Sequence, residues 1–378
     1  MAYRDYVKTI EDLENLYYGK GAEYIAKADA PVLSTTTGVY NAVYGAQVWA
    51  QLNQEANAFG ILPKYPWTRS GWRVITARSS ASVIGGVAEN ATLPETTKPS
   101  FLEVSTKPKT VVHTFDVSEV QEFLATESDD DAIGDMAFMR QYKGIEHKEY
   151  INKMLLMDVD TLAGDNFESI DRVCSAYSEV NAGLCGANDA DIYGIDRDAA
   201  ASWADAYVSH NSGTDRSLTD EIIRTAMYNV RTNGGNTTVL LTGEDTYSVI
   251  QGLYDPQVRY SVLGEATVKI GVNGIDTKDG INVGIHVASL YGVPIITSKD
   301  VAKDTISRIY LLDTSDPEGF GIPRLGFKVA KPTQYFEAGI SMGDPFSINR
   351  LGNEGMYRTM GELICTFFKA QGKIRDLK

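Results

Sequence analysis

Histidine and cysteine are scarce in this chain: its 378 residues include four histidines and three cysteines. Cys174, Cys185 and Cys365 form no C-x-x-C pair, and so low and odd a count argues against a disulfide scaffold and suits a reducing compartment. His113, His147, His210 and His286 never fall in H-E-x-x-H spacing. A zinc centre needs several such ligands converging, so no metal site is expected. The glycine loops that cradle phosphates are missing too, with no G-x-x-x-x-G-K-[ST] and no G-x-G-x-x-G, and no cofactor is expected. Basic residues are outnumbered, 35 Lys and Arg against 50 Asp and Glu, for a formal charge of −15. Such a chain is a poor candidate for wrapping nucleic acid or lying on anionic lipid. The one long uncharged stretch, residues 30–54, carries Ser34, Thr35, Thr36, Thr37, Asn41, Gln47 and Gln51, too polar for a membrane span. Met1-Ala2-Tyr3-Arg4-Asp5 is no secretory signal. What is present suffices for a packed core, since 43% of residues are hydrophobic and 22% charged. The expectation is a soluble intracellular protein of two or three domains, or one large elaborated one.

The first segment reads as an amphipathic helix, with Tyr6, Ile10, Leu13 and Tyr17 at helical spacing and Glu11, Asp12 and Glu14 opposite. A Thr-rich joint leads to a second helical stretch through Val39, Val43, Ala46 and Ala50. Together they form an arm without a core of its own. Its many tyrosines suit packing on the chain's own core or, because Tyr is enriched at interfaces, on a neighbour. Residues 72–78 read as a strand and 101–106 as its return, around a Gly-, Ser- and Thr-rich tip. A hairpin so poor in apolar residues is not stable alone and must lie on something.

Residues 109–115 form a further strand, and Ser118-x-x-Gln121 is a capping box. A helix is expected from the acidic run Asp129-Asp130-Asp131 to about Leu162, with Ile151, Leu155, Val159 and Leu162 as its stripe. At roughly 30 residues it would span about 45 Å. Residues 164–217 are poor in pattern. Thr219 then caps a helix whose apolar face is Ile222, Ile223, Ala226, Met227 and Val230, stopped by Gly234-Gly235. Residues 238–242, 283–287, 293–296 and 308–312 read as strands, 246–253 as a short helix, and 357–368 as a long closing strand. No internal repeat is present.

One catalytic motif matches. Gly339-Ile340-Ser341-Met342-Gly343 is G-x-S-x-G, the nucleophile-elbow pattern of α/β hydrolases. The elbow needs a helix right after the serine, and here Asp344-Pro345 follows; it needs a downstream histidine, and none lies after His286. A glycine-flanked strand bend is the better reading, and no catalytic residue is expected. Asp189, Asp191, Asp196 and Asp198 could hold Ca²⁺ but lack the spacing and terminal Glu of an EF-hand, so a solvated loop is expected.

The order of elements says more than any motif: a helical arm, a long polar hairpin, a strand, a very long helix, then a mixed α/β domain with a closing strand. This order resembles the major capsid protein of tailed double-stranded DNA viruses, the Hong Kong 97-type (HK97-like) fold. Local text is similar too: Gly71-Trp72-Arg73-Val74 followed by Gly86-Val87-Ala88-Glu89-Asn90-Ala91-Thr92-Leu93-Pro94, Lys107-Pro108-Lys109 to Asp116-Val117-Ser118, Tyr291-Gly292-Val293-Pro294-Ile295-Ile296, and Gly361-Glu362-Leu363 to Gly372-Lys373-Ile374.

The resemblance implies an α+β capsid fold with an N-terminal arm (1–63), an extended β-hairpin loop (64–106), a peripheral domain with a long spine helix (107–164), a mixed α/β axial domain (165–325) and closing strands (326–378). It implies a structural protein, not an enzyme, that self-assembles through pentamers and hexamers into an icosahedral virion shell around double-stranded DNA, assembled in the host cytoplasm. Assembly contacts are expected at Tyr6, Tyr17, Trp72, Arg73, Arg78, Glu89 and Glu95. Expected partners are other copies of the chain, a separate scaffolding protein, a portal and a decoration protein, with DNA as non-specific contents and no membrane. The Lys–Asn cross-link of some relatives maps onto no residues here, so none is expected. An encapsulin-like compartment shell, a hydrolase using Ser341 and a sheet-rich viral adhesive or tail protein are the alternatives.

Overall fold

The computed structural model describes residues 56–77, 89–90, 98–120, 122, 136–161, 164–186, 188–254, 288–317, 319, 321–343, 348 and 350–378. The chain divides into two interleaved units: the described residues of 110–150 and 331–359 form one, and those of 55–109, 151–330 and 360–378 form the other.

The elements open with helix α1 (Asn57–Ile61) and strands β1 (Lys64–Pro66), β2 (Gly71–Ala77), β3 (Ser100–Ser105) and β4 (Lys109–Ser118). Helices α2 (Met136–Leu155), α3 (Ile170–Val173) and α4 (Tyr177–Asn181) precede the three-residue β5 (Tyr207–Ser209). Helix α5 (Asp220–Thr232), β6 (Val239–Thr242), α6 (Glu244–Tyr254), β7 (Ala288–Leu290), β8 (Val293–Thr297) and β9 (Ile309–Leu312) follow. The chain closes with β10 (Leu325–Gly339), β11 (Gly352–Cys365) and β12 (Gly372–Ile374).

In the first unit β11 lies between β10 and β4. Alternation along the strands sends Phe115, Val117, Tyr335 and Tyr357 to one face, where they meet Met136 and Met139 of α2. Arg140 stacks 4.2 Å from the Tyr335 ring. Gly144 sits mid-helix because a Cβ there would come 3.2 Å from the Tyr357 hydroxyl, so the glycine allows close approach to the sheet.

The second unit holds a six-stranded sheet in the order β5-β12-β9-β6-β8-β7. One face, carrying Leu240, Ile295, Leu311 and Ile374, packs against Ile223, Ala226 and Val230 of α5 and Tyr247 and Ile250 of α6. β6, β8, β9, α5 and α6 lie close to where the sequence pattern places them. Thr219 is the N-cap residue of α5, but its hydroxyl makes no capping bond. The expected strand at 283–287 lies outside the described residues.

The long helix ends earlier than its apolar stripe suggests. α2 stops at Leu155 after 20 residues, about 30 Å at 1.5 Å per residue. The cause is tertiary. The Asp171 carboxylate takes the Val159 N–H at 3.0 Å, and Val159–Thr161 turn as a 3-10 helix. Val159 is still buried, packed with Cys185 and Ala190. Leu162 and the acidic run lie outside the described residues.

Candidate functional site

Strands β2 and β3 pair antiparallel with Trp72 opposite Val104, Arg73 opposite Glu103 and Ile75 opposite Phe101. The inner face anchors the hairpin to its own unit: Val104 is 3% exposed, and the Trp72 ring meets Tyr193 edge-on at 5.3 Å. Tyr193 is itself fixed, donating to the Leu363 carbonyl at 2.7 Å and accepting from the Cys365 N–H. Burial pushes the Tyr193 hydroxyl well above its ordinary pKa, so it stays protonated as a donor.

The outer face is different. Arg73 grips Glu103 through Nε at 3.0 Å and Nη2 at 2.8 Å, both side chains being solvent-exposed. Such a pair adds little stability but holds two charges in a set geometry. Beside it Ile75 is 56% and Phe101 60% exposed, a cross-strand apolar pair with no cover among the described residues. Burying a side chain of this kind contributes roughly 1.5–3 kcal/mol, so the face is suited to covering by another surface. Glu89 is exposed, beside Asn90 at φ +68°. Tyr6, Tyr17, Arg78 and Glu95 lie outside the described residues.

Ser341 has no nucleophile geometry. It lies in a 3-10 turn, Ile340–Met342, between Gly339 at φ +124° and Gly343 at φ +77°. Its hydroxyl donates to Glu337 at 2.6 Å and its N–H to Asn353 Oδ1 at 2.8 Å, so among the described residues its partners include no imidazole. In the acidic loop, Asp191 accepts the Arg197 N–H and Asp198 the Ala200 and Ala201 N–H groups. These carboxylates brace backbone.

The densest polar constellation has no local sequence signature. Asp171, with no solvent exposure, accepts from Tyr310 at 2.9 Å and Arg308 at 3.1 Å and forms an ion pair with Lys373 at 3.2 Å. Lys373 also meets Glu179 at 2.9 Å, which in turn pairs with Arg375 at 2.8 Å. Arg308 continues the cluster to Asp304 and Asp158. Burial alone would push the Asp171 carboxyl up, but Lys373 and Arg308 outweigh it and hold it well below the carboxylate range. A second cluster joins Lys109 to Glu168 at 2.9 Å, with Nζ 3.2 Å from Glu362 Oε2, an ion-pair distance without a hydrogen bond. Burial, countered in part by Lys109, pushes Glu362 up to about 7. In the first unit His113 Nδ1 lies 2.7 Å from His147 Nδ1, and His147 Nε2 2.7 Å from Thr359 Oγ1. Burial, then the neighbouring His113, pushes His147 down to about 4. These groups brace strands and helices.

A family model described as SU10 major capsid protein matches residues 77–311, more than half of the chain. The chain belongs to the SU10 major capsid protein family. It is a shell-forming structural protein of the virion, and the uncovered hairpin face fits a subunit whose stability is completed by neighbours. Solved capsids share the fold. The cyanophage A-1(L) capsid asymmetric unit aligns with a TM-score of 0.61 at 15% identity, over 88% of this chain and 95% of that one. The capsid of the native GTA particle aligns at 0.53 with 9% identity, over 96% of this chain and 97% of that one. Microbacterium phage Oxtober96 aligns at 0.50 with 11% identity, over 98% and 100%. No curated protein matches in sequence.

Proposed function

We propose that this capsid subunit closes an icosahedral shell around a double-stranded DNA genome by lending its hairpin, and the arm before it, to neighbouring copies. The observation that carries the reading is the Ile75–Phe101 pair, apolar and more than half exposed on the outer face of the hairpin. The working division of labour is an arm at 1–63, an extended loop at 64–106, a peripheral domain at 107–164, an axial domain at 165–325 and closing strands at 326–378. Tyr6, Tyr17, Trp72, Arg73, Arg78, Glu89 and Glu95 are its proposed assembly contacts. A separate scaffolding protein, a portal and a decoration protein belong to the proposal as partners. The net charge of −15 suits a container that does not grip its polyanionic contents. A structural role without catalysis is supported by Ser341, whose hydroxyl donates to a carboxylate.

The test is removal of residues 79–93 with a short Gly-Ser closure. The unassembled subunit should melt within a few degrees of wild type, because the tip contributes little apolar payload. Electron microscopy of the same protein should show no shells. A deletion that collapses the subunit, or one that leaves both melting and shells untouched, refutes the proposal.

A further inference from the structure

The root of the hairpin encloses an open cavity of about 1120 Å³, whose lining includes Tyr65, Arg69, Trp72, Arg73, Glu103 and Lys328. Lys328 is only 7% exposed. Its ammonium donates to the Arg69 carbonyl at 2.5 Å and lies 5.0 Å from the Trp67 ring centre and 5.8 Å from that of Tyr65. Among the described residues no carboxylate pairs with it. Buried lysines are rarely left without a counter-charge, and this molecule supplies its own comparison: Lys373, fully buried, has carboxylates at 3.2 and 2.9 Å. Desolvation pushes the Lys328 ammonium below its ordinary pKa, as expected for a cation lacking its partner.

The remaining lining points the same way. Among the described residues its one carboxylate, Glu103, is engaged by Arg73 on the exposed face. The indole N–H of Trp72 is buried and meets no acceptor among them, a rare state in a finished interior. Of the described residues, three cations and one anion therefore line a cavity in a chain of net charge −15. The complement is a carboxylate, and every further copy of this chain carries 50 Asp and Glu residues.

We infer that the cavity at the hairpin root receives an acidic side chain from a neighbouring copy of this chain, with Lys328 as its counter-ion. The inference rests on the assembly reading and adds the chemistry of one contact. Docking there would pair the buried ammonium and seat the hairpin root, so that assembly and hairpin order become linked.

Lys328→Met keeps the aliphatic stem over the aromatic rings and removes the charge. Because the ammonium has no carboxylate partner among the described residues, its loss should leave the melting temperature of the unassembled protein unchanged or raised. Assembly, followed by light scattering and electron microscopy, should then need about tenfold more protein or more. Lys328→Gln, which retains a donor for the Arg69 carbonyl, should behave alike. Trp72→Phe should weaken assembly less. If Lys328→Met melts well below wild type while Lys328→Gln does not, the lysine is a strap to Arg69 and the receptor is refuted. Assembly of both variants at the wild-type concentration refutes it as well. So does loss of short-duplex DNA binding with assembly unchanged, which marks a phosphate site. If the wild-type chain never assembles, with or without its scaffolding protein, the assembly reading falls first and takes the receptor with it.

Discussion

Replacing Lys373 by Met should be among the most damaging single changes in the second unit. The lysine sits on β12, between β5 and β9, with no solvent exposure. Its ammonium touches Asp171 at 3.2 Å, Glu179 at 2.9 Å and the Ser175 hydroxyl at 3.1 Å. Met fills similar space but leaves two buried carboxylates short of a cation. Breaking a buried pair from one side costs about 3–5 kcal/mol. Here Asp171 keeps Arg308 and Tyr310, and Glu179 keeps Arg375, so the lower end, about 3 kcal/mol, is expected. For a body of this size that lowers the melting temperature by about 6–12 °C.

The pH dependence should shift too. The folded-state pKa of Asp171 is depressed, so its contribution is present above the unfolded carboxylate value and is lost as pH falls through the folded one. Without Lys373 that folded value rises, and acid unfolding should begin at higher pH. The assay is thermal and urea unfolding of the unassembled subunit between pH 3 and 8. Asp171→Asn combined with Lys373→Met should cost less than the sum of the two by about 1–3 kcal/mol. A shift below about 2 °C for Lys373→Met, or strict additivity in the double variant, would refute the claim that these charges hold the sheet to α3 and α4.

Two further predictions concern single titrations. Glu362, pushed up to about 7, binds its proton more tightly folded than unfolded, so its contribution falls as pH rises from about 4.3 to about 7. Glu362→Gln should flatten that decline, by up to about 3 kcal/mol in urea unfolding across the window, and an unchanged slope would contradict the assignment. His147, held down at about 4, stays neutral while the unfolded chain takes up a proton, so stability should fall as pH drops from about 6.5 towards 4. Imidazole NMR should find one histidine titrating near 4 whose signal is lost in His147→Gln, and in that variant the loss of stability over the window should shrink; a His147 signal titrating near 6.5 would contradict the pairing with His113.

The elements legible in the sequence are those whose pattern is local. β2 and β3 are marked as two extended segments around a Gly-, Ser- and Thr-rich tip, and α5 by its apolar face and the residues at its ends. The buried strands β6, β8 and β9 showed as short runs of β-branched and aliphatic residues. The resemblance carried by the order of elements agrees with the family to which the chain belongs. The end of α2 was not legible, because Val159 continues the helical stripe and leaves the helix only when Asp171 captures its amide. Gly144, a poor helix former by itself, is used here to let the helix pack against Tyr357.

Length, acidity, the order of helices and strands, and the lack of metal-binding and phosphate-binding motifs are properties of the sequence alone. The order of elements carries the resemblance to a capsid subunit. What only the tertiary structure decided is where charge goes inside. Lys373 and Arg375 lie in a short charged run of the closing segment, and they become core residues because Asp171 and Glu179 arrive from about two hundred positions upstream. Lys328 is buried by the same folding without receiving such a partner among the described residues. A charge can be buried only where its counter-charge is brought by distant parts of the chain, or by another chain, and no local pattern records that meeting.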